Sequence, residues 1–404
     1  MSLVSETPTL SPFQVAALPE IQFGQGQIRQ LPQIIQQRGQ HALIVTGQNA
    51  FISTSSWSVL KTGLGALGIT WDWVQVDGEP SPQLVDASVA QHRQSGIDVV
   101  VGIGGGSVLD AAKAIAGLLR TGTSVMDHLE GVGNNLPYTG PSVPLIAVPT
   151  TAGTGSEATR NAVLSVQGDA GFKKSFRDNQ LVARVALVDP DLLASCPRSQ
   201  IAANGMDALT QLLESYVSTR ANPVTDALAW SGMEAFKAGF WAAWEGDHTN
   251  ASSGYTQLAY ASLMSGVTLA QAGLGSVHGF ASPLGAFFPM PHGVVCGTLL
   301  AEATATNIHA LRARNPDSTA LPKYARVGRL MTGQSTLNDA EAGEALIECL
   351  RAWVRELDLP RLGAYGMTGE DIPRVCAGAR GSSMKTNPLE LTDDELAGVL
   401  ACRL

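Results

Sequence analysis

Four consecutive small residues, Gly104, Gly105, Gly106 and Ser107, are the segment of the sequence best suited to binding a phosphate group. They directly follow an apolar run and directly precede a helical pattern. Residues without Cβ let a pyrophosphate approach the backbone, and the free N–H groups of a helix's first turn point towards it. Asp110, in that first turn, suits the helix dipole. The GxGxxG fingerprint is absent, so the segment predicts either a dinucleotide-binding turn or a plain strand-to-helix joint.

A second small-residue turn, at residues 149–157, also follows an apolar run. It contains the hydroxyls of Thr150, Thr151, Thr154 and Ser156, which could hydrogen-bond ribose, phosphate or an amide. Such residues are also typical of a solvated loop that caps a helix. Because ligands of open α/β sheets gather beyond the carboxyl ends of the strands, two such turns after neighbouring strands favour a nucleotide site.

The elements that position these turns alternate between short apolar runs and helical periods. Strands are predicted at residues 42–46, 69–76, 98–103, 144–149 and 185–189, and helices at residues 56–67, 82–95 and 108–119. This alternation predicts an α/β domain with a parallel sheet covered on both faces. From residue 198 onwards the pattern is helical almost throughout. We therefore expect an α/β domain with the nucleotide-binding turns at residues 1–196 and an all-α domain at residues 197–404.

Composition excludes several classes of protein. A net charge of −9 argues against nucleic acid as a partner. No apolar run has the length of about 18 to 20 residues that a membrane span requires, and residues 1–14 lack the features of a secretion signal. The five cysteines are scattered and form no CxxC pair, which is typical of reduced thiols and not of disulfides or a thiolate metal site. We expect a cytoplasmic enzyme.

Four motifs resemble those of the iron-containing (group III) alcohol dehydrogenase family and occur in the order that the family has them. The motifs are GGGSxxDxxK from Gly104 to Lys113, PTTAGTGSE from Pro149 to Glu157, NGMDALT from Asn204 to Thr210, and HGFASPLGA from His278 followed by Pro291-His292-Gly293. The likeness extends over almost the whole chain. It implies the dehydroquinate synthase-like fold and NAD(P)-dependent interconversion of a small alcohol and its aldehyde or ketone. It also implies a homodimer or a larger homo-oligomer.

The resemblance implies that a divalent metal, iron or zinc, is bound by an Asp, by a His four residues later on the same helix, and by two further His. The matching residues are Asp207, Gln211, His278 and His292. The metal would polarise the substrate oxygen while hydride passes between the substrate carbon and the nicotinamide. Gln211 departs from the pattern. Its amide oxygen is a harder and weaker donor than imidazole, which should favour Mg(II) or Mn(II) over Fe(II) or Zn(II).

Two further positions come from the resemblance. Ser282 stands where many members carry a His that relays protons, so the relay here must use Ser282, a water or nothing. With His278 and His292 it completes the set of catalytic candidates. Lys173 falls where members place a lysine near the cofactor.

Cofactor choice depends on the turn after the first predicted strand. Gly47, Gln48 and Asn49 occupy this turn, and no acidic residue stands there to bind a ribose 2′-hydroxyl and repel a 2′-phosphate. NADP is therefore permitted, no nearby arginine selects it, and NAD stays open.

Three alternatives remain open at this point. A cyclase or lyase of the dehydroquinate synthase kind would need several Lys and Arg near the metal, and residues 273–297 contain none. A non-catalytic nucleotide-binding relative would explain Gln211 and Ser282 as lost functional residues. A metal-free reductase of an oxo acid, resembling maleylacetate reductase, would keep the fold without the metal.

Overall fold

Apolar runs between residues 42 and 188 form the buried strands of a parallel sheet in the computed structural model, which describes residues 12–246 and 251–404. The strands are β1 (Glu20–Phe23), β2 (His41–Gly47), β3 (Thr70–Val76), β4 (Val99–Gly104), β5 (Leu145–Pro149), β6 (Asn161–Val166), β7 (Phe172–Arg177) and β8 (Val185–Val188). Within residues 12–246, six strands pair in parallel in the order β1-β8-β5-β4-β2-β3. Strands β6 and β7 form a separate antiparallel pair.

Both faces of the sheet are covered, as the alternation of strands and helices predicts. The helices of this part are α1 (Leu31–Gln36), α2 (Ser55–Ala66), α3 (Pro82–His92) and α4 (Gly106–Leu118). Successive side chains of a strand point to opposite faces. Val45 accordingly joins the apolar cluster that contains Leu109 of α4, whereas Ile44 joins the cluster that contains Leu60 of α2. The sheet is thus held between two helical layers.

The rest of the chain is helical. Its helices are α5 (Arg198–Val217), α6 (Pro223–Glu245), α7 (Ala251–Ala272), α8 (Ser276–Phe287), α9 (His292–Arg314), α10 (Ala320–Thr332), α11 (Asp339–Glu356), α12 (Ile372–Ala379) and α13 (Asp393–Ala401). Helix α5 is buried over nearly its whole length and packs against α6, α7 and α9. The fold class is therefore the predicted one, an α/β part followed by a helical part. The predicted division after residue 196 lies between β8 and α5 and stays a prediction.

The two parts touch through their backbones. Gly155, in the loop after β5, adopts a left-handed conformation with φ of 58°. A Cβ atom on Gly155 would lie 2.4 Å from the Cα atom of Gly266 in α7, and one on Gly266 would lie 2.1 Å from the carbonyl oxygen of Gly155. Only glycine at both positions permits so close an approach.

Membrane spans and a secretion signal were both expected to be absent. No helix in residues 12–246 or 251–404 has both the length and the apolar character that crossing a membrane would require. The expected absence of a secretion signal in residues 1–14 falls mainly on residues 1–11, which lie outside the described residues.

Candidate active site

The two small-residue turns lie side by side at the carboxyl ends of β4 and β5. Gly104 ends β4 and pairs in register with Pro149 of β5. A Cβ atom on Gly105 would lie 3.2 Å from the hydroxyl of Thr151, and one on Gly106 would lie 2.9 Å from that of Thr154. The turns therefore form one continuous surface at the start of α4, where the first backbone N–H groups of a helix are available to an anion.

A buried lysine ties the second turn to α4. The Lys113 ammonium is fully buried and donates to the Ser156 hydroxyl at 2.6 Å, to the Thr159 hydroxyl at 2.8 Å and to the Asp110 carboxylate at 3.2 Å. Ser156 itself donates to Asp110 at 2.6 Å. Burial lowers the pKa of Lys113, although Asp110 and Glu157 act in the opposite direction. Asp110 and Ser156, both predicted to bind cofactor, thus have structural partners within this network.

Lys173 and Ser282 contact each other through β7 and α8. The Lys173 ammonium on β7 lies 2.9 Å from the Glu79 carboxylate, and the Ser282 hydroxyl on α8 donates to the backbone carbonyl of Lys173 at 2.8 Å. This bond engages the hydroxyl hydrogen of Ser282, so Ser282 can relay a proton only if the bond breaks.

The metal candidates converge as the resemblance implies. Oδ1 of Asp207, on α5, lies 3.3 Å from Nε2 of His278 on α8 and 3.7 Å from Nε2 of His292 at the start of α9. Cys296, one turn after His292, brings its sulfur to 3.6 Å from Nε2 of His278 and 3.8 Å from Nε2 of His292. All four ligand atoms lie within 4.8 Å of one another. We call Asp207, His278, His292 and Cys296 the four-ligand cluster.

Gln211 lies beside this cluster with its oxygen turned away. Its Oε1 accepts a hydrogen bond from the Ser265 hydroxyl at 2.8 Å, and its Nε2 is 3.4 Å from Oδ1 of Asp207. The amide therefore presents its nitrogen, which has no lone pair to give, towards the cluster.

Charges and burial show that the cluster suits a cation. Burial lowers the pKa of His292 to about 4, so this imidazole is neutral and offers a lone pair. Burial would also lower the pKa of His278, but Cys296, Glu214 and Asp207 raise it well above its ordinary value. Among the described residues nothing hydrogen-bonds Oδ2 of the buried Asp207 or Nδ1 of His292. A divalent cation would compensate the buried carboxylates that otherwise need a protonated imidazole.

One cleft of about 900 Å³ extends from the two small-residue turns to the four-ligand cluster. Most predicted site residues line it, namely Gly105, Gly106, Ser107, Asp110, Thr151, Thr154, Ser156, Lys173, Asp207, Gln211, His278, Ser282 and His292. The predicted residues outside its lining are Gly47, Gln48, Asn49, Gly104 and Thr150. Gly104 and Thr150 are buried beneath the turns, and Gly47 ends the neighbouring strand β2.

Comparisons with known proteins show the family of this chain. Residues 19–190 match the iron-containing alcohol dehydrogenase family, and residues 201–403 match the C-terminal region of the Fe-containing alcohol dehydrogenase family. The chain belongs to the iron-containing alcohol dehydrogenase family. It is an oxidoreductase that interconverts a small alcohol and its aldehyde or ketone with NAD or NADP and a metal.

Three similar proteins illustrate the match. The chain is 32% identical over 326 residues to alcohol dehydrogenase 4 of Saccharomyces cerevisiae, covering 80% of both chains. It is 33% identical over 365 residues to lactaldehyde reductase of Escherichia coli, covering 88% of this chain and 90% of the relative. The crystal structure of a 1,3-propanediol oxidoreductase superposes with a TM-score of 0.87 at 28% identity, covering 98% of this chain and all of the other.

Two residues of the enzyme's site were missed by the sequence analysis. The cysteines were interpreted as standing outside any metal site, yet Cys296 lies in the four-ligand cluster. The i, i+4 spacing of His292 and Cys296 was the available signal. Glu214, whose Oε2 lies 2.6 Å from Nδ1 of His278, carried no motif signal because its partner comes from a distant helix.

Proposed function

We propose that hydride transfer takes place in the 900 Å³ cleft, between a nicotinamide held near the turns after β4 and β5 and a substrate held at the helical wall. The observation that carries this proposal is that the glycine turn and the cluster of Asp207, His278 and His292 face the same cavity. A cofactor and a substrate oxygen can therefore meet in it. Ligands of α/β sheets generally bind at this edge.

The proposed metal ligands are Asp207, His278 and His292, and Gln211 would be a weaker fourth ligand once its amide turned over to present Oε1. When bound, the cation polarises the substrate oxygen, and the nicotinamide exchanges hydride with the adjacent carbon. Three neutral or anionic donors from three helices meet in a buried position, which is where a divalent ion is bound most firmly. Because two of these ligands are imidazoles, which bind iron and zinc well, we assign the ion as iron or zinc.

The proposed cofactor contacts fall into three groups. Gly105, Gly106 and Ser107 offer backbone N–H groups to the pyrophosphate, and Gly104 permits the close fit of α4 on β4, since a Cβ atom there would lie 2.5 Å from Val108. The hydroxyls of Thr151 and Thr154 line the cleft beside them. Asp110, Thr150 and Ser156 would position the two turns. The ribose would lie near Gly47, Gln48 and Asn49, which follow the end of β2, and Lys173 would lie near the cofactor.

The proton must travel through the helical wall. His292 is partly accessible, with its side chain 25% exposed, whereas His278 is bound on both ring nitrogens. We therefore assign proton exchange with solvent to the His292 side of the cleft, with Ser282 as a positioning hydroxyl. The same proposal extends to a homodimer or larger homo-oligomer acting in the cytoplasm, in keeping with five free cysteines.

A substrate panel tests the proposal. Purified enzyme would be assayed with small aldehydes, ketones and oxo acids, with NADH and NADPH, before and after chelation and re-addition of Fe(II), Zn(II), Mg(II) or Mn(II). We expect aldehyde or ketone reduction that chelation abolishes and Fe(II) or Zn(II) restores. Asp207→Asn should lose metal-dependent turnover, whereas Asp371→Asn, which does not line the cleft, should keep it. Turnover that survives both chelation and Asp207→Asn would overturn the metal assignment. Preference for oxo acids would favour the metal-free reductase.

A further inference from the structure

Cys296 is the one member of the four-ligand cluster without an assigned role. Its side chain is completely buried, and its sulfur lies 3.6 Å from Nε2 of His278 and 3.8 Å from Nε2 of His292. It is placed by α9, since His292 and Cys296 stand four residues apart on one helix face. The sulfur therefore faces the same point as the two imidazoles.

Four of the six distances between the ligand atoms are close to those of a metal site, and the other two are at most 4.8 Å. Tetrahedral sites with metal–nitrogen distances of about 2.0 to 2.1 Å and metal–sulfur distances of about 2.3 Å need neighbouring ligand atoms about 3.4 to 3.6 Å apart. The distances from Asp207 Oδ1 to the imidazoles are 3.3 and 3.7 Å, and those from the sulfur to the imidazoles are 3.6 and 3.8 Å. Oδ2 of Asp207, buried and without a hydrogen-bond partner among the described residues, is a second sign that a ligand is bound here.

Gln211 is poorly prepared for the fourth position. Its carbonyl oxygen lies 2.8 Å from the Ser265 hydroxyl, whose single hydrogen is shared with the Ser262 and Gly153 carbonyls at 2.7 and 3.3 Å. To reach a cation the amide would have to turn over and give up that bond. The sulfur of Cys296 already faces the cluster and has only to lose its proton.

We propose that the thiolate of Cys296 is the fourth protein ligand of the divalent cation, in place of Gln211. This inference rests on the proposed function, because it takes the metal site of Asp207, His278 and His292 as given. On binding, the S–H bond breaks, its proton leaves to solvent, and a sulfur–metal bond forms without any change of oxidation state. Gln211 then acts as a positioning residue that orients Asp207.

The exchange of imidazole for thiolate changes the charge and selectivity of the centre. Two anionic ligands, Asp207 and Cys296, balance the two positive charges of the cation. Soft thiolate ligands select zinc and iron over magnesium and manganese. The expectation from Gln211 alone, a preference for oxygen-favouring cations, would therefore be reversed.

Cobalt(II) substitution tests the inference without relying on activity. Chelator-treated enzyme would be loaded with one equivalent of Co(II), freed of excess metal and examined by absorption spectroscopy. We expect an intense thiolate-to-cobalt charge-transfer band in the near ultraviolet. Cys296→Ser should bind Co(II) without that band and bind Zn(II) at least about 10-fold more weakly. The matched control is Cys376→Ser, which changes another buried thiol away from the cluster and should keep the band.

The outcomes separate the two proposals. Stoichiometric Co(II) binding without a charge-transfer band in the wild type would overturn the role of Cys296 and leave the metal site of Asp207, His278 and His292 standing. Failure of the wild type to bind Co(II) or Zn(II) would overturn both. If Cys296→Ser does not fold, the wild-type band still decides, and its persistence in Cys196→Ser, Cys349→Ser, Cys376→Ser and Cys402→Ser excludes every other thiol of the chain.

Discussion

Nδ1 of His278 lies 2.6 Å from Oε2 of Glu214, and both side chains are buried. Glu214 also accepts the backbone N–H of Val277 at 2.7 Å, so its carboxylate is fixed at the start of α8. With Nδ1–H donating to Glu214, a bound cation would replace the proton on Nε2, which points towards Asp207 and Cys296. Carboxylates in this position orient metal-binding histidines and make them more basic.

Glu214→Gln should weaken metal binding by about 10- to 100-fold, because the neutral amide no longer fixes the tautomer or raises the basicity of His278. Competition with a chromophoric chelator would measure the change. The control is Glu302→Gln, which removes a partly buried carboxylate paired with Arg351 instead. Equal metal affinity in wild type and Glu214→Gln would contradict the orienting role.

Gln211→His should raise affinity for Fe(II) or Zn(II) by about 10- to 100-fold, since an imidazole one helical turn from Asp207 can reach the cluster without the bond to Ser265. Metal titration of the wild type and the variant would measure it. If neither form binds metal while the wild type still reduces a substrate, the polarising groups must come from the protein alone.

Gly105→Asp should weaken binding of NAD(P) by at least about 100-fold, equivalent to about 3 kcal/mol, because a carboxylate would face the pyrophosphate. The added Cβ would meet only the Thr151 side chain, at 3.2 Å, so the fold should tolerate it. Cofactor titration followed by fluorescence would measure the loss, and Gly65→Asp, at an open position of α2, is the control. Unchanged cofactor affinity in a folded variant would refute the assignment of this turn.

Gly47→Asp should raise the KM for NADPH by about 10-fold or more and change that for NADH little, because the new carboxylate would repel only a 2′-phosphate. A Cβ atom at this position lies 3.8 Å from Val108, so the side chain has room. Steady-state kinetics with both cofactors would check the ratio. An equal loss with both would show that Gly47 does not face the ribose.

Glu157→Gln should flatten the pH dependence of stability. Burial raises the pKa of Glu157 to about 7, so between about pH 4.5 and 7 the folded chain retains a proton that the unfolded chain releases. Stability from this group is thus present below that window and lost as pH rises through it. Urea unfolding at about pH 5 and pH 8 should show the variant losing roughly 1 to 3 kcal/mol less than wild type. The exposed Glu370→Gln should behave as wild type, and an identical pH profile for Glu157→Gln would contradict the buried proton.

The sequence predicted what depends on local pattern. The strand now seen as β4 was expected because every one of its residues is apolar or glycine, and the glycine turn followed from its place before α4. The pair β6 and β7 was not expected, since Phe172–Arg177 carries three basic residues and is only partly buried. Cys296 and Glu214 were not predicted as site residues, for a different reason. Their partners lie on other helices, and only the packing of α5, α8 and α9 brings them together.

The contact between Gly155 and Gly266 also governs how the cleft can open. Two backbones in direct contact leave no flexible side chain between them, so any rotation of the α/β part against the helical part would pivot at this contact. An atom then travels along an arc proportional to its distance from that fulcrum. Ser265, next to Gly266, has its hydroxyl within 3.3 Å of the Gly153 carbonyl and 2.8 Å of Gln211, so the metal end of the cleft would have a short lever arm. The mouth of the cleft would have the long lever arm. It could therefore widen to admit a dinucleotide while the cation-binding atoms keep their spacing.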